Sequence, residues 1–321
     1  MGGSPPKILY VPCMRGADSG GIDQAVGGLL RAHPRLVLAV SGGVDSMVLL
    51  DAVARLRTPG QAVVVATVDH GTGGPATEAA ALAASVASHH GLRISTERLS
   101  VEKGSEAAWR EARWGFLRAV AHREQARIVT AHTRDDQVET VVMRAMRGAS
   151  ARGLAGLYAE GPVLRPLMER TREDILAYAR SRKVPFVDDP TNESRSFLRN
   201  RLRLDLLPAV RRVSPSFDED MLAVARRAAA LRREVDAVAA SLVVGGVDGA
   251  TVELDAMQMA ELGDAGLRLV WPSVAMMLGV ALDRRGVDRL ARLSGDGGVG
   301  GRVQVTGGFE AIRGRTTLLL R

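Results

Sequence analysis

Leu36 to Val40 is an unbroken apolar run, and Ser41-Gly42-Gly43-Val44-Asp45-Ser46 follows it directly. Met47 to Leu56 then places apolar residues at helical spacing. The run is short, branched and free of charge, as expected of a strand buried on both faces. A buried strand that turns straight into a helix restricts the chain to α/β architectures, and the turn has its own chemistry. Backbone N–H groups and the positive end of a helix favour an anion there, and glycines let phosphate oxygens approach the backbone. Asp45 would repel phosphate unless a metal ion lies between them. The stretch therefore reads as a nest for a magnesium–nucleoside triphosphate. A plain Gly-Gly turn with Asp45 or Ser46 as helix N-cap is the alternative.

Strands and helices alternate from about 22 to 160, the pattern of a parallel sheet covered on both faces. Strand one is Leu36 to Val40 and strand two Ala62 to Val68, ending in Asp69-His70-Gly71. An alanine-rich helix runs from Pro75 to about His90, and strand three covers Arg93 to Leu99. Ser105 caps the next helix, which runs to about Arg123; strand four is Ile128 to Ala131, followed by a helix over about 136–147. Ligands of such folds sit outside the carboxyl ends of the strands. Ser41 to Ser46, Asp69 and the cluster His132 to Asp136 all fall on that rim.

Beyond Gly148 the pattern changes. Pro162 to Met168 is extended, Thr171 and Asp174 form a capping-box start to a helix, and Val187 to Asn192 is a loop. A basic helix over about 196–207, ended by Pro208, precedes a long helix over about 216–241. The expected division is a poorly ordered leader over 1–20, a catalytic domain over 21–212 and a smaller α+β domain over 213–321. That last domain contains helices over 257–277, broken at Pro272, and 285–293, then a hairpin around Gly307-Gly308.

Three further features carry chemistry. Arg113 lies inside the apolar stripe of Trp109, Ala112, Phe116, Leu117 and Val120, from which Trp114 falls away. A guanidinium aimed into a buried face needs an anion, either a polyphosphate or a structural carboxylate. His132 stands with Asp136 and Glu139, paired carboxylates that could hold magnesium or bind and deprotonate an amine. Asp136 and Glu139 could equally be the N-cap and N3 of a capping box. Arg195, Arg199, Arg201, Arg203, Arg211 and Arg212 cluster around a single acid, Asp205, in a chain of net charge +7, which favours a polyanionic partner over a merely solvated face.

Composition removes several classes. Aromatics are 3% of the chain, too few for rows of stacking rings on a single strand. Cys13 is the only cysteine, so neither a disulfide framework nor a cysteine zinc site can form within one chain. No apolar run reaches transmembrane length and no signal-peptide core opens the sequence, so the expected location is the cytoplasm, with no membrane partner.

Ser41 to Ser46 resembles the SGGxDS PP-loop of the N-type ATP pyrophosphatases, enzymes that split ATP between the α and β phosphates. With Val68 to Gly71, Glu111 to Leu117, Thr130 to Thr140, Gly153 to Leu157, Arg165 to Leu167, Asp188 to Asn192 and Arg199 to Arg203, the order and rough spacing are similar to tRNA(Ile)-lysidine synthetase over residues 36 to about 212. The resemblance implies a Rossmann-like, adenine nucleotide α-hydrolase-like domain and a compact form of the family. It implies ATP as co-substrate with Mg2+, and ligation of free L-lysine to the wobble cytidine of a CAU anticodon in tRNA(Ile). By the same resemblance Ser41, Gly42, Gly43, Val44, Asp45, Ser46, Asp69 and His70 bind ATP, and Asp45 holds the magnesium. Asp45, Arg113, His132, Asp136 and Glu139 are catalytic, and Arg195, Arg199, Arg201 and Arg203 meet tRNA. A homodimer is compatible with the sequence. Rival readings are a tRNA 2-thiolating enzyme, disfavoured by the single cysteine, an ATP-dependent amidating ligase, and a non-catalytic ATP-binding module.

Overall fold

The computed structural model describes residues 8–9, 20–69, 74–99, 106–188, 194–247 and 251–321. Of the leader, Ile8–Leu9 form a short strand, β1, antiparallel to Phe186–Val187. The rest of residues 1–19, like His70, Ser105 and the loop 189–193, lies outside the described residues.

The chain divides into two compact units, Met1–Ala225 and Arg226–Arg321. In the first, α1 (Gly20–Ala32) buries Ile22, Val26 and Leu30, one residue per turn. Then come β2 (Arg35–Ala39), α2 (Val44–Leu56), β3 (Ala62–Asp69), α3 (Gly74–His89), β4 (Arg93–Arg98), α4 (Glu106–Glu124), β5 (Arg127–Val129), α5 (Arg134–Met146), α6 (Ala151–Leu154), β6 (Val163–Leu164), α7 (Arg172–Arg182) and β7 (Phe186–Val187).

Five strands form one parallel sheet in the order β4-β3-β2-β5-β6. Successive side chains on a strand point to opposite faces, and the two cores follow that alternation. Leu36, Leu38, Val63, Val65 and Val129 pack with α1, α2 and α7 residues on one side. Val37, Val64, Ala66 and Ile128 pack with Phe116, Leu117 and Val120 of α4 on the other. Helix α2 is buried on nearly every side, since Met47 to Leu50, Ala52 and Val53 are all enclosed. The edge strand β4 is charged and mostly exposed, which protects an unpaired edge from further pairing. Thr171 and Asp174 make the capping box of α7.

The sequence suggests four strands; β6 is a fifth, two residues long, within the stretch read as extended. The basic segment is not a single helix closed by Pro208. It runs as α8 (Leu198–Arg201), a π-turn over Leu202–Leu206, and α9 (Leu207–Val213), with Pro208 in the first turn of α9. Pro208 directly follows the π-turn, and the chain stays helical on both sides of it.

Helix α10 (Phe217–Ser241) carries the division between the units. Its first turns belong to the first unit because Phe217, Met221 and Leu222 pack with Val138, Val142, Leu202 and Leu207. The expected boundary near 213 precedes those contacts.

In the second unit, β8 (Val243–Val247) and β9 (Val252–Asp255) precede α11 (Ala256–Glu261), α12 (Gly263–Met277) and α13 (Arg284–Gly295). Strands β10 (Arg302–Gln304), β11 (Glu310–Arg313) and β12 (Thr317–Leu320) complete an antiparallel sheet ordered β10-β11-β12-β9-β8. The hairpin at Gly307-Gly308 has φ of 83° and 81°. Pro272 does not break the helix there. It lies inside α12, whose buried Leu267, Val270, Trp271 and Val274 outweigh one lost N–H; the break falls earlier, at Gly263 with φ 63°.

Candidate functional site

Strand β2 has β3 on one side and β5 on the other, so its crossovers diverge and leave a crevice at the carboxyl end. A cavity of about 280 Å³ opens there, lined from β2 and its turn by Val40, Ser41, Gly43, Asp45 and Ser46. From α4 come Arg110, Arg113 and Trp114, from the end of β5 Thr130, Ala131 and His132, and from farther along the chain Asp136 and Arg199.

The Ser41–Ser46 turn is tightly specified. Gly42 has φ 83°, and a Cβ there would come within 2.5 Å of the Ala79 carbonyl oxygen. Neither Asp45 nor Ser46 is the N-cap of α2. Gly43 is, and no side chain caps the helix, which leaves its first-turn N–H groups for an anion. Ser46 is buried: its Oγ donates to the Gly43 carbonyl at 2.9 Å and accepts from the Ser41 N–H at 3.2 Å. It stitches the turn together from beneath.

Asp45 sits in the first turn of α2. Its Oδ1 is buried with no hydrogen-bond partner, and its Oδ2 is 3.9 Å from Arg172 Nη1. Burial first, and then the neighbouring charge of Asp136, raise its pKa from 3.8 to about 6. A half-buried carboxylate with an orphaned oxygen beside an anion nest suits a cation. No group of three or more His, Cys, Asp or Glu that could hold a metal occurs among the described residues. Magnesium bound with a triphosphate needs only one or two carboxylates, so Asp45 fits it.

The two acids of α5 play different parts. Thr133 is the N-cap and Asp136 is N3, a complete capping box in which Asp136 Oδ2 accepts the Thr133 N–H at 2.8 Å. Glu139 therefore does not belong to the cap. Its side chain is 2% exposed and is held by two arginines: Arg199 Nε donates to Oε2 at 2.6 Å, and Arg203 Nε donates to Oε1 at 2.5 Å. Arg199 also donates to Asp136 Oδ1 at 2.6 Å, so one guanidinium bridges both acids. Asp135 accepts the Arg172 N–H at 2.9 Å, tying α5 to the start of α7, while Arg134 pairs with Glu219.

Arg113 lines the cavity and makes no hydrogen bond or ion pair among the described residues. Burial and the charges of Arg110 and Arg199 hold its pKa below the ordinary guanidinium value. Arg165 is likewise depressed, by burial and by Arg110 and Arg144, and its Nε is buried without a partner. His132 is pushed down to about 4, chiefly by burial and then by Arg165, Arg199 and Arg113, although Asp136 opposes the shift. One wall of the cavity is thus cationic and the imidazole is neutral.

The turn, Arg113, His132 and Asp136 meet in one cavity, and Glu139 is joined to it through Arg199. Asp69 instead accepts from Thr77 at 3.0 Å and does not line the cavity. Arg199 and Arg203 face the acids, Arg195 pairs with Asp205 at 3.1 Å on the surface, and Arg201 is exposed. Sequence reasoning overlooked Arg110, although its spacing of three from Arg113 places it on the same helix face. It also set Trp114 aside, which packs partly against the α4-side core and lines the cavity.

A family model described as a PP-loop domain matches residues 20–210. Among curated proteins, the tRNA(Ile)-lysidine synthase of Solibacter usitatus is 34% identical over 300 residues, covering 87% of this chain and 67% of the relative. The tRNA(Ile)-lysidine synthase of Thermus thermophilus is 39% identical over 198 residues, covering 59% of this chain and 38% of the relative. That of Bradyrhizobium sp. is 42% identical over 190 residues, covering 54% and 52%. The chain thus spans 38% to 52% of the length of the latter two relatives. Among solved structures, the U34-tRNA thiolase NcsA from Methanococcus maripaludis with its 4Fe-4S cluster aligns with TM-score 0.54 at 17% identity, over 64% of this chain and 76% of that one, a likeness of fold. Together with the glycine turn at the β2 terminus, these matches place the chain in the PP-loop family, among the tRNA(Ile)-lysidine synthases.

Proposed function

We propose that this protein ligates free L-lysine to the 2-carbon of the wobble cytidine in the CAU anticodon of tRNA(Ile), consuming ATP and releasing AMP and pyrophosphate. The observation that carries the reading is the cavity in which an anion nest, a cationic wall and Asp136 face one another, with Glu139 joined to it through Arg199. Ser41 to Ser46 would cradle the triphosphate, with Arg113 supplying charge from the opposite wall. Asp45 would hold Mg2+ together with phosphate oxygens, and the ion when bound offsets triphosphate charge. Asp69, at the end of β3, and its sequence neighbour His70 are assigned to the nucleoside side of ATP.

In the first step the cytidine 2-oxygen attacks the α-phosphorus and pyrophosphate leaves, which turns a poor electrophile into an activated one. In the second the lysine ε-amine attacks C2, the C–O bond to AMP breaks, and a carboxylate takes the amine proton. Asp136 and Glu139 are the acids placed to receive the lysine ammonium. Arg199 and Arg203 now neutralise them, so lysine entry requires those guanidiniums to exchange partners. Arg195 and Arg201 would contact the RNA backbone. The reading is compatible with a monomer or a homodimer. Among the described residues no helix is long and apolar enough to cross a membrane, and the proposed location is the cytoplasm with its tRNA substrate.

The test is ATP turnover with unmodified tRNA(Ile), with labelled lysine present and absent. AMP, pyrophosphate and lysine-labelled tRNA are expected. ADP as product, or labelling indifferent to the wobble base, would refute the assignment.

A further inference from the structure

Thr130 directly follows β5 and lines the cavity rather than joining either core. It is 7% exposed, and its Oγ1 lies 2.7 Å from Nδ1 of His132, two residues on. That is the only hydrogen bond the Thr130 side chain makes among the described residues. The contact fixes more than a distance. A hydroxyl has one proton to give, and a buried donor with no acceptor is costly. Among the described residues the only acceptor within reach of this one is Nδ1. Were His132 protonated at Nδ1, it would donate to Oγ1 and leave the threonine proton without an acceptor among the described residues. The low-cost arrangement has Thr130 donating, Nδ1 bare and the proton of the neutral ring on Nε2.

His132 lines the cavity, and Nε2 makes no hydrogen bond to any described residue. It shares that space with Arg110, Arg113 and Arg199, which cannot accept a hydrogen bond, and with Asp45 and Asp136, of which Asp136 is already held by the Thr133 N–H and Arg199. An N–H turned into such a space calls for an oxygen acceptor carrying negative charge.

We propose that Thr130 is a positioning residue that locks His132 in the Nε2–H tautomer, so that His132 donates a hydrogen bond to a phosphoryl oxygen of the bound nucleotide and does not act as a general base. The proposal rests on the nucleotide chemistry of the preceding section and specifies which partner of that site does what. The donor stays uncharged throughout, and proton removal from the incoming amine falls to the carboxylates of α5. The pKa of His132, pushed down to about 4, agrees with an imidazole that remains neutral at working pH.

The experiment has two arms. In the first, the full chain labelled with 15N-histidine is examined by long-range 1H–15N correlation at pH 7, and Thr130→Val assigns the effect to the hydroxyl. The wild type is expected to show the His132 ring with Nδ1 unprotonated and Nε2 protonated, and Thr130→Val a mixture of tautomers. An Nδ1–H ring or an imidazolium in the wild type would overturn the proposal, whatever the protein's substrates prove to be. In the second arm, ATP-dependent lysine incorporation is measured for the same proteins and for Thr130→Ser. Thr130→Val is expected to lower kcat about 10- to 100-fold, by analogy with the loss of an outer partner that orients a metal-bound histidine. Thr130→Ser should restore it, and the KM for ATP should move little. A Thr130→Val enzyme with wild-type kcat, or no rescue by serine, refutes the positioning role. A wild type with the expected tautomer and no lysine incorporation would instead sink the functional reading and leave the tautomer assignment standing.

Discussion

Replacing Asp45 by asparagine should make the protein more stable and less able to hold Mg-ATP. The folded environment raises the Asp45 pKa from 3.8 to about 6, mainly through burial and then through Asp136. An acid with a raised folded pKa costs stability wherever it is ionised. The penalty is absent below about pH 4, grows as pH rises, and is complete above about pH 6. At about 1.4 kcal/mol per pH unit the displacement corresponds to roughly 3 kcal/mol. The side chain is 34% exposed, and solvent screening reduces the figure to about 1–2 kcal/mol. Asparagine keeps the shape and discards the charge. At pH 7.5 the variant should therefore unfold about 2–8 °C higher, as expected for a unit of roughly 200 residues. At pH 4 the two proteins should coincide. Thermal melts at both pH values, with and without Mg-ATP, provide the assay. Added Mg-ATP should raise the wild-type midpoint and leave that of Asp45→Asn nearly where it was. A variant no more stable at pH 7.5, or a gain of equal size at pH 4, would refute the electrostatic account.

Glu139→Gln leaves Arg199 and Arg203 facing a neutral amide, and should cost about 2–3 kcal/mol in urea titration, less than a fully buried pair because both arginines are partly solvated; an unchanged midpoint would mean that the two arginines do not depend on it. Gly42→Ala forces a Cβ against the Ala79 carbonyl at positive φ and should destabilise by about 1–3 kcal/mol while abolishing ATP binding, as read by calorimetry. Arg201→Glu should leave the melting temperature unchanged, weaken tRNA binding, and reduce the slope of log K against log salt by about 1; an unaltered slope would place the RNA contact elsewhere.

The parts of this protein that depend on local sequence were legible in advance. The strand, glycine turn and helix from Leu36 to Leu56 announce themselves through short-range patterning, and so does the position of Arg113 on the inward face of α4. The Thr171 capping box likewise follows from neighbours three residues apart. Elements that depend on packing misled. Pro208 and Pro272 look like stops, yet both sit within helical runs, because tertiary burial holds those segments helical. The strand β6 is too short for periodicity to reveal and exists because β5 offers an edge.

The sequence alone determined that a glycine turn would join a strand to a helix and that His132 and Asp136 would lie on the same rim. These follow from residue order, since strand ends of a parallel sheet share one edge. Only the tertiary structure decided what those residues touch. The order β4-β3-β2-β5-β6 opens the crevice beside β2. The pairing of Glu139 with Arg199 and Arg203 joins positions 60 and 64 residues apart. The orphaned Asp45 oxygen and the neutral His132 are products of burial. Desolvation and long-range pairing depend on what the fold brings together in space, and no local pattern encodes them.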